Sequence, residues 1–443
     1  MPTIPRVWLV AGGGWIGRAV QVAAQLATVR ILTDGLGTVG YGAFAVLSSL
    51  AGWFALSDFS IAVTLQNYIS ERRAAELETD DLVFTAATLS LGAALLFAVV
   101  LLLAGPWLSN LLLDEFAVLS RSERTLAFYA IAFPSIGTAL GGMAYKIWFA
   151  QHRGYLSNLL PAAGTVLGTV AVWLFMRSSP QQPLASTLFL YYAASALIPV
   201  LALTGIVLAA ARHRFATDLL RPLLRRAARF WIFGVLAAAV LQVDYIIMAQ
   251  VLQAADIVVY NVASKIFQLV FFVYNALLFA LWPVCSEAIA RGEWARVFAL
   301  LRRNLVIGIA FTVLCGVGVG VLNGTIVSIV APTLAEPLPM LVVILLTIYV
   351  AVRVWSDTFG MVLQSMNDLT PLLIALPIQA VLSAALQTLG ASVAGLPGMI
   401  AGLTACFVLT VAWYLPWRCI RYARERTTIE TERHAPFDLH PDV

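Results

Sequence analysis

Seven ionisable side chains interrupt otherwise apolar stretches of this 443-residue chain: Arg18, Asp58, Lys146, Asp244, Lys265, Arg353 and Asp357. A charge held in hydrocarbon costs at least about 2.5–3.5 kcal/mol, so such residues face a partner or a wet cavity. Spacing suggests partners for most of them. Arg353 and Asp357 stand i,i+4 on a single helix. Asp244 and Lys265 lie equally far from a turn near Ala254, at one depth on adjacent antiparallel helices. Arg18 and Asp58 flank the first outer turn, at distances that differ by one helical turn. Lys146 has no evident partner and can snorkel toward water. Two readings of the set stay open. In one, the charges are structural ion pairs. In the other, four bases against three acids leave a slightly positive cavity suited to an anionic headgroup such as a phosphate. Arg18, Lys146, Arg353 and Lys265 would then hold the headgroup, with Asp58, Asp244 and Asp357 serving ion coupling or pairing.

Other chemistry finds little footing. Residues 12–17 and 35–40 both match GxGxxG, but neither follows a strand or opens a βαβ unit, so nucleotide binding is not expected. No GxxxxGK[ST] occurs, which argues against an ATP-driven pump. His152, His213, His434 and His440 are too dispersed for a metal site, and Cys285, Cys315, Cys406 and Cys419 form no CxxC pair. The expectation is no metal, no cofactor and no catalytic triad.

The elements that carry these residues follow from composition. Hydrophobic residues make up 61% of the chain and charged residues 11%, against roughly 25% charged in soluble domains. Mean hydropathy is +0.90. About twelve apolar runs of membrane-spanning length cover the chain, among them 8–32, 41–69, 230–252, 371–389 and 397–417. Solid blocks rather than short alternating segments exclude a β-barrel. The predicted fold is an all-α polytopic membrane protein of about twelve helices, in two parallel six-helix lobes around a central cavity.

Basic residues orient it. Nineteen arginines fall in one set of loops and the two ends, including Arg72, Arg73, Arg153, Arg212, Arg225, Arg303 and Arg418. Only Arg30, Arg121, Arg124 and Arg177 fall on the opposite side. This positive-inside bias predicts cytoplasmic termini, in agreement with an even helix count. The net charge of +4 is therefore a topology signal and implies no nucleic acid. The predicted organisation is an N-terminal lobe 1–211, a basic cytoplasmic linker 212–229, a C-terminal lobe 230–417 and a basic-to-polar cytoplasmic tail 418–443. Echoes support a repeat: Tyr41 with Tyr260, Ser70-Glu71 with Ser286-Glu287, and Gln151 with Gln364, at offsets of 219, 216 and 213. Six helices per half makes the repeats parallel. Pro134, Pro161, Pro199 and Pro377 fall inside helices as tolerated residues or hinges. The pairs Gly13/Gly17, Gly137/Gly141, Gly164/Gly168 and Gly398/Gly402 predict close helix packing.

The stretch Ile31-Leu32-Thr33-Asp34-Gly35-Leu36-Gly37-Thr38-Val39-Gly40-Tyr41-Gly42 resembles the opening of bacterial polysaccharide flippases of the Wzx type. So do Leu56-Ser57-Asp58, Gln66-Asn67-Tyr68-Ile69-Ser70-Glu71, Val243-Asp244-Tyr245-Ile246-Ile247-Met248 and Tyr260-Asn261-Val262-Ala263-Ser264-Lys265, in order along the chain. The resemblance places it in the multidrug/oligosaccharidyl-lipid/polysaccharide exporter superfamily. It implies a transporter, not an enzyme. The cargo would be a polyprenyl-diphosphate-linked glycan, such as an O-antigen or exopolysaccharide unit, moved across a bacterial inner membrane by alternating access with ion coupling. A monomer is expected, with polysaccharide polymerase machinery as a candidate partner. The chain departs from usual members in having two lysines against 25 arginines, read as genome composition. A cation-coupled multidrug exporter is the alternative, disfavoured by the excess of bases. A membrane glycan polymerase or ligase is disfavoured by the short outer loops, the longest being about 105–124.

Overall fold

The computed structural model describes residues 6–114, 116, 118–151, 153–178, 183–331, 334, 336–366 and 370–434. His152, Asn367 and the tail from residue 435 onward, with His440, lie outside them. Among the described residues there is no strand. The helices are α1 (Arg6–Ser49), α2 (Ala51–Phe54), α3 (Ile61–Ala74), α4 (Asp80–Leu113), α5 (Arg121–Gly141), α6 (Met143–Ala150), α7 (Gly154–Ser178) and α8 (Leu184–Ala210). They continue as α9 (Thr217–Leu241), α10 (Val243–Val251), α11 (Ala254–Ala290), α12 (Trp294–Val321), α13 (Asn323–Val330), α14 (Met340–Ser365), α15 (Thr370–Leu409) and α16 (Val411–His434). The all-α polytopic architecture expected from composition is present.

At 44 residues, α1 would measure about 66 Å if straight, twice the roughly 30 Å hydrocarbon core. It is not straight. Gly37 sits at φ 67°, a left-handed conformation that glycine adopts without penalty. Thr28 bonds Thr169 at 2.8 Å and also meets Tyr191, whose ring packs edge-on against Phe44 at 6.0 Å. Residues 28 and 44 would stand about 24 Å apart on a straight helix, so the chain folds back at Gly37. The 40-residue α15 does the same at Gly395, φ 60°. A Cβ placed on Gly390 would run into the Gly398 carbonyl, and one on Gly402 into that of Leu386, so the two arms lie antiparallel in backbone contact. Among the described residues nine helices are long and apolar enough to span a membrane, or ten with the bent pair Thr217–Leu241 and Val243–Val251 taken as one span. Dividing the two folded-back spans at their glycines brings ten to the twelve expected.

The predicted small-residue contacts are all made. Gly13 and Gly17 of α1 lie against Tyr155 and Asn158 of α7; Gly137 and Gly141 of α5 against Pro199 and Val200 of α8; Gly164 and Gly168 of α7 against Ser195 and Tyr191 of α8. Gly402→Ala is expected to destabilise by about 1–3 kcal/mol through overpacking. Gly318→Ala, where an added Cβ meets nothing within 4 Å, is the neutral control. Thermal unfolding in detergent checks both.

Prolines are accommodated by neighbours. Pro106, inside α4, cannot donate to the Leu102 carbonyl. The Tyr129 hydroxyl donates to that carbonyl instead, at 2.6 Å, and its ring fills the space where Gly105 has no side chain. At the next turn, Ser120 and Glu123 form a capping box that starts α5. The buried Arg124 donates to Asp114 Oδ1 at 3.1 Å and to the Asp114 and Phe116 carbonyls, closing the α4–α5 connection.

The chain divides into two compact units, Met1–Val262 with Gly324–Leu338, and Ala263–Asn323 with Pro339–Val443. This division does not coincide with the repeat boundary expected at 212–229. Residues 243–262 pack with the first half, through contacts described below. In the first unit a buried cluster joins Leu65 and Ile69 of α3, Leu82 and Ala86 of α4, Met143 and Ile147 of α6, and Leu223 and Ala227 of α9. Arg226 bonds Glu71 at 2.8 Å and His213 lies 3.5 Å from Asp80, so the basic 212–229 segment shares one end of this unit with the α3–α4 turn.

Candidate functional site

The run 41–69, expected as one helix, is broken. Chain direction changes through Leu50, a 3-10 turn at Ala55–Asp58, and Phe59 and Ser60, both left-handed at φ 50° and 58°. Two consecutive non-glycine residues in that region cost on the order of 1–3 kcal/mol each. Asp58 secures the break. Its buried carboxylate accepts the Ser60 N–H at 2.9 Å and the Ala62 N–H at 3.1 Å, capping α3. Trp231 of α9 stacks on Phe59 at 5.0 Å and donates to the Leu56 carbonyl at 3.1 Å. Among the described residues the cation near enough for its charge to bear on Asp58, short of a direct ion pair, is Lys146 of α6. Sequence spacing places Arg18 there. Arg18 instead lies on an exposed face of α1, one residue beyond the Gly17–Asn158 contact. Depth along the chain does not reveal which helices are neighbours, so this partner was not readable from spacing. Asp58→Asn, which keeps an acceptor, is expected to hold thermal stability, whereas Asp58→Ala should lose about 1 kcal/mol with the cap.

Asp244 opens α10 and is buried. Its Oδ1 accepts the Tyr245 N–H at 2.9 Å and its Oδ2 accepts the Tyr260 hydroxyl at 2.6 Å. Equal depth about the turn pairs Asp244 with Lys265 of α11; the hydrogen-bond donor that α11 supplies to Asp244 is Tyr260. Lys265, further along α11, is half-buried and belongs to the second unit. Beside Asp244, Tyr41 donates to Asn261 Oδ1 at 2.6 Å, and Asn261 Nδ2 donates to the Tyr245 hydroxyl at 2.6 Å. The Tyr245 and Tyr260 rings pack edge-on at 5.5 Å. This buried polar network ties the first half of the chain, at Tyr41, to the α10–α11 hairpin of the second half. Arg30, in α1, likewise donates to the Ile329 carbonyl of α13 at 3.3 Å. In the sequence Tyr41 and Tyr260 stand out only as a repeat echo. The signal that marks the hairpin pairs is position: Asp244 and Tyr260, and Tyr245 and Asn261, stand equidistant from residues 252 and 253 of the turn, respectively, which sets each pair face to face.

In the second unit, the expected i,i+4 pair is formed. Arg353 Nη2 and Nε donate to Asp357 Oδ2 at 3.1 and 3.3 Å, and Nη1 donates to the Tyr349 hydroxyl at 3.1 Å. The guanidinium lies 4.5 Å from the Phe271 ring centre and 5.2 Å from that of Phe407. Aromatic faces attract a cation and exclude water, which strengthens the charge they surround. The side chains of Arg353 and Asp357 remain 17% and 32% accessible, so this is a partly open, preorganised cation. Tyr274 and Thr358 share a hydrogen bond beside it. Among the described residues no group of three or more His, Cys, Asp or Glu could hold a metal ion.

The chain is 37% identical over 418 residues to a protein of Yersinia pseudotuberculosis named for O-antigen export, covering 94% of this chain and 96% of that one. It is 33% identical over 413 residues to one of Salmonella typhi named as an O-antigen transporter, covering 93% and 96%. No family model matches. Among solved structures, an inward-facing multidrug resistance MATE transporter of the MOP superfamily superposes with a TM-score of 0.74 at 13% identity, covering 94% of this chain and 96% of that one. The lipid II flippase MurJ in an inward closed conformation superposes with a TM-score of 0.70 at 13% identity, covering 93% and 87%. At such identity these likenesses carry the fold, which has two lobes of six helices.

Proposed function

The chain belongs to the family of O-antigen export proteins and transporters, and from that premise we propose that it flips a polyprenyl-diphosphate-linked oligosaccharide from the cytoplasmic to the periplasmic leaflet by alternating access. It is a multi-pass protein of the bacterial inner membrane, and its relatives are named as transporters rather than enzymes. The observation that carries the substrate class is near-full-length identity to two O-antigen transporters and an export protein. The charge balance agrees with it. Four bases and three acids within the spans suit a diphosphate better than an organic cation.

Roles follow from the local geometry. Arg353 offers its guanidinium to a phosphate oxygen while Asp357 and the aromatic rings hold it in place. Lys146 and Arg18, with Lys265, are the further headgroup cations, and Asp58, Asp244 and Asp357 are the acids available for coupling or pairing. The Tyr41–Asn261–Tyr245 and Tyr260–Asp244 hydrogen bonds latch one mouth of the path shut. By the arginine distribution this mouth is periplasmic and both termini are cytoplasmic. The protein acts as a monomer and hands its cargo to polysaccharide polymerase machinery.

The test is headgroup accessibility in proteoliposomes. A fluorescent polyprenyl-diphosphate oligosaccharide is loaded into both leaflets and probed with a membrane-impermeant quencher. Protein-dependent quenching of the inner-leaflet pool is expected. Failure with several glycans under an imposed proton or sodium gradient, alongside efflux of organic cations, would move the assignment to multidrug export.

A further inference from the structure

Helix α9 has two faces of different character. Leu223 and Ala227 are 1% and 2% exposed, locked in the core cluster with α3, α4 and α6. Arg226, on the flank, is held by Glu71 at 2.8 Å and lies over the Tyr68 ring at 5.0 Å. The helix is thus fixed in rotation. Its outward face carries Arg221, Arg225 and Arg229, all exposed and spaced i, i+4, i+8. Among the described residues no acid, carbonyl or ring pairs with these three. Like charges at i,i+4 destabilise a helix by about 0.2–0.5 kcal/mol per pair, so an uncovered row of three is a cost to the isolated fold that an anion relieves. The row and Pro222 line an open groove of about 550 Å³. Ile232, 56% exposed, continues the row one turn on, and Leu224, 43% exposed, stands on the flank opposite Arg226. From Phe230 onward the helix is apolar and, with α10, long enough to enter a membrane.

Three guanidinium forks about 6 Å apart along a helix, beside exposed aliphatic side chains and at the level where the helix enters lipid, fit an amphiphile with two linked phosphates on an apolar tail. A diphosphate can engage two forks at once, whereas a phosphodiester headgroup offers one charge to one fork. We propose that the Arg221–Arg225–Arg229 face of α9 is a docking site that captures the diphosphate of the polyprenyl-linked substrate at the leaflet where transport begins. This inference rests on the substrate class proposed above. It assigns capture to residues outside the apolar runs, separate from the intramembrane cations.

The full-length protein in phosphatidylcholine nanodiscs is titrated with undecaprenyl diphosphate, undecaprenyl monophosphate and phosphatidylglycerol, with binding read by native mass spectrometry. The wild type is expected to bind the diphosphate about tenfold or more tighter than phosphatidylglycerol, a difference of about 1.4 kcal/mol. The triple variant R221K/R225K/R229K keeps charge and topology but loses the fork geometry, and should lose most of that preference with an unchanged unfolding temperature. Equal affinity of the wild type for phosphatidylglycerol would overturn the proposal and leave a general anchor for anionic lipid. Full preference retained in the triple variant would overturn it by placing the diphosphate elsewhere. Flipping is scored on the same wild-type and variant proteins reconstituted in proteoliposomes. A wild type that flips while its variants keep the preference removes only the docking site. A wild type that prefers the diphosphate but flips no glycan removes only the transport reading.

Discussion

Arg353→Ala should abolish flipping in the proteoliposome assay and lower stability by about 1–3 kcal/mol. Removing one member of a buried pair strands the other charge and costs about 3–5 kcal/mol, discounted here because Asp357 keeps 32% of its accessibility. Loss of activity alone would not separate transport from folding, since Arg353 also holds Tyr349 and Asp357. The double variant Arg353→Met with Asp357→Leu separates them. Replacing both partners with apolar groups of similar size leaves no stranded charge and is often neutral for stability. The double variant should therefore regain the wild-type unfolding temperature and remain inactive. Recovery of transport together with stability would make the pair purely structural and would withdraw Arg353 from the headgroup role. Arg353→Lys is the intermediate case. It keeps a cation among Phe271, Tyr349 and Phe407 but cannot bridge Asp357 and Tyr349 with one planar group, so partial activity is expected.

The second large effect is at the polar latch. Tyr260→Phe removes the 2.6 Å donor from the buried Asp244 carboxylate. A hydrogen bond to a charged group contributes about 1.5–3 kcal/mol, and the acceptor left behind stays buried. The expected result is a mouth that no longer stays shut. A cysteine introduced at Ile257, a fully buried position on α11, should be shielded from an impermeant maleimide in an otherwise wild-type protein and react several-fold faster beside Tyr260→Phe. A shift of about 2 kcal/mol in a two-state closure can change the open population by more than tenfold. Flipping should fall, because a path open to one side does not reset. Unchanged labelling with lowered stability would reduce the network to a packing feature. Tyr41→Phe, which cuts the bond that joins α1 to the α10–α11 hairpin, should act in the same direction with at least as large an effect, since the Asp244–Tyr260 bond lies within the hairpin.

The sequence by itself determined the class of molecule, the number of crossings and the small-residue contacts. Each depends on composition or on periodicity along one chain segment. Solid apolar blocks require helices in lipid, and Gly390, Gly398 and Gly402 can approach backbone only because they lack side chains. The Arg353–Asp357 pair was legible for the same reason, since i,i+4 neighbours meet on any helix. Two helices joined by a short turn must run antiparallel, so spacing sets Asp244 against α11, but which α11 side chain meets it, Tyr260 rather than the evenly placed Lys265, is a matter of rotation and packing.

Tertiary structure decided what depends on which helices are neighbours. Lys146 acts on Asp58 because α6 packs beside α3, although 88 residues separate the two in the chain. The break at Phe59 and Ser60 has no glycine or proline to announce it; it persists because the Asp58 carboxylate and Trp231, from a distant helix, hold it. The Tyr41–Asn261 bond spans 220 residues, and hydrogen bonding between side chains so far apart leaves no periodic trace. What local geometry enforces can be read from the chain. What burial and packing select among many possible partners appears only once the helices have been brought together.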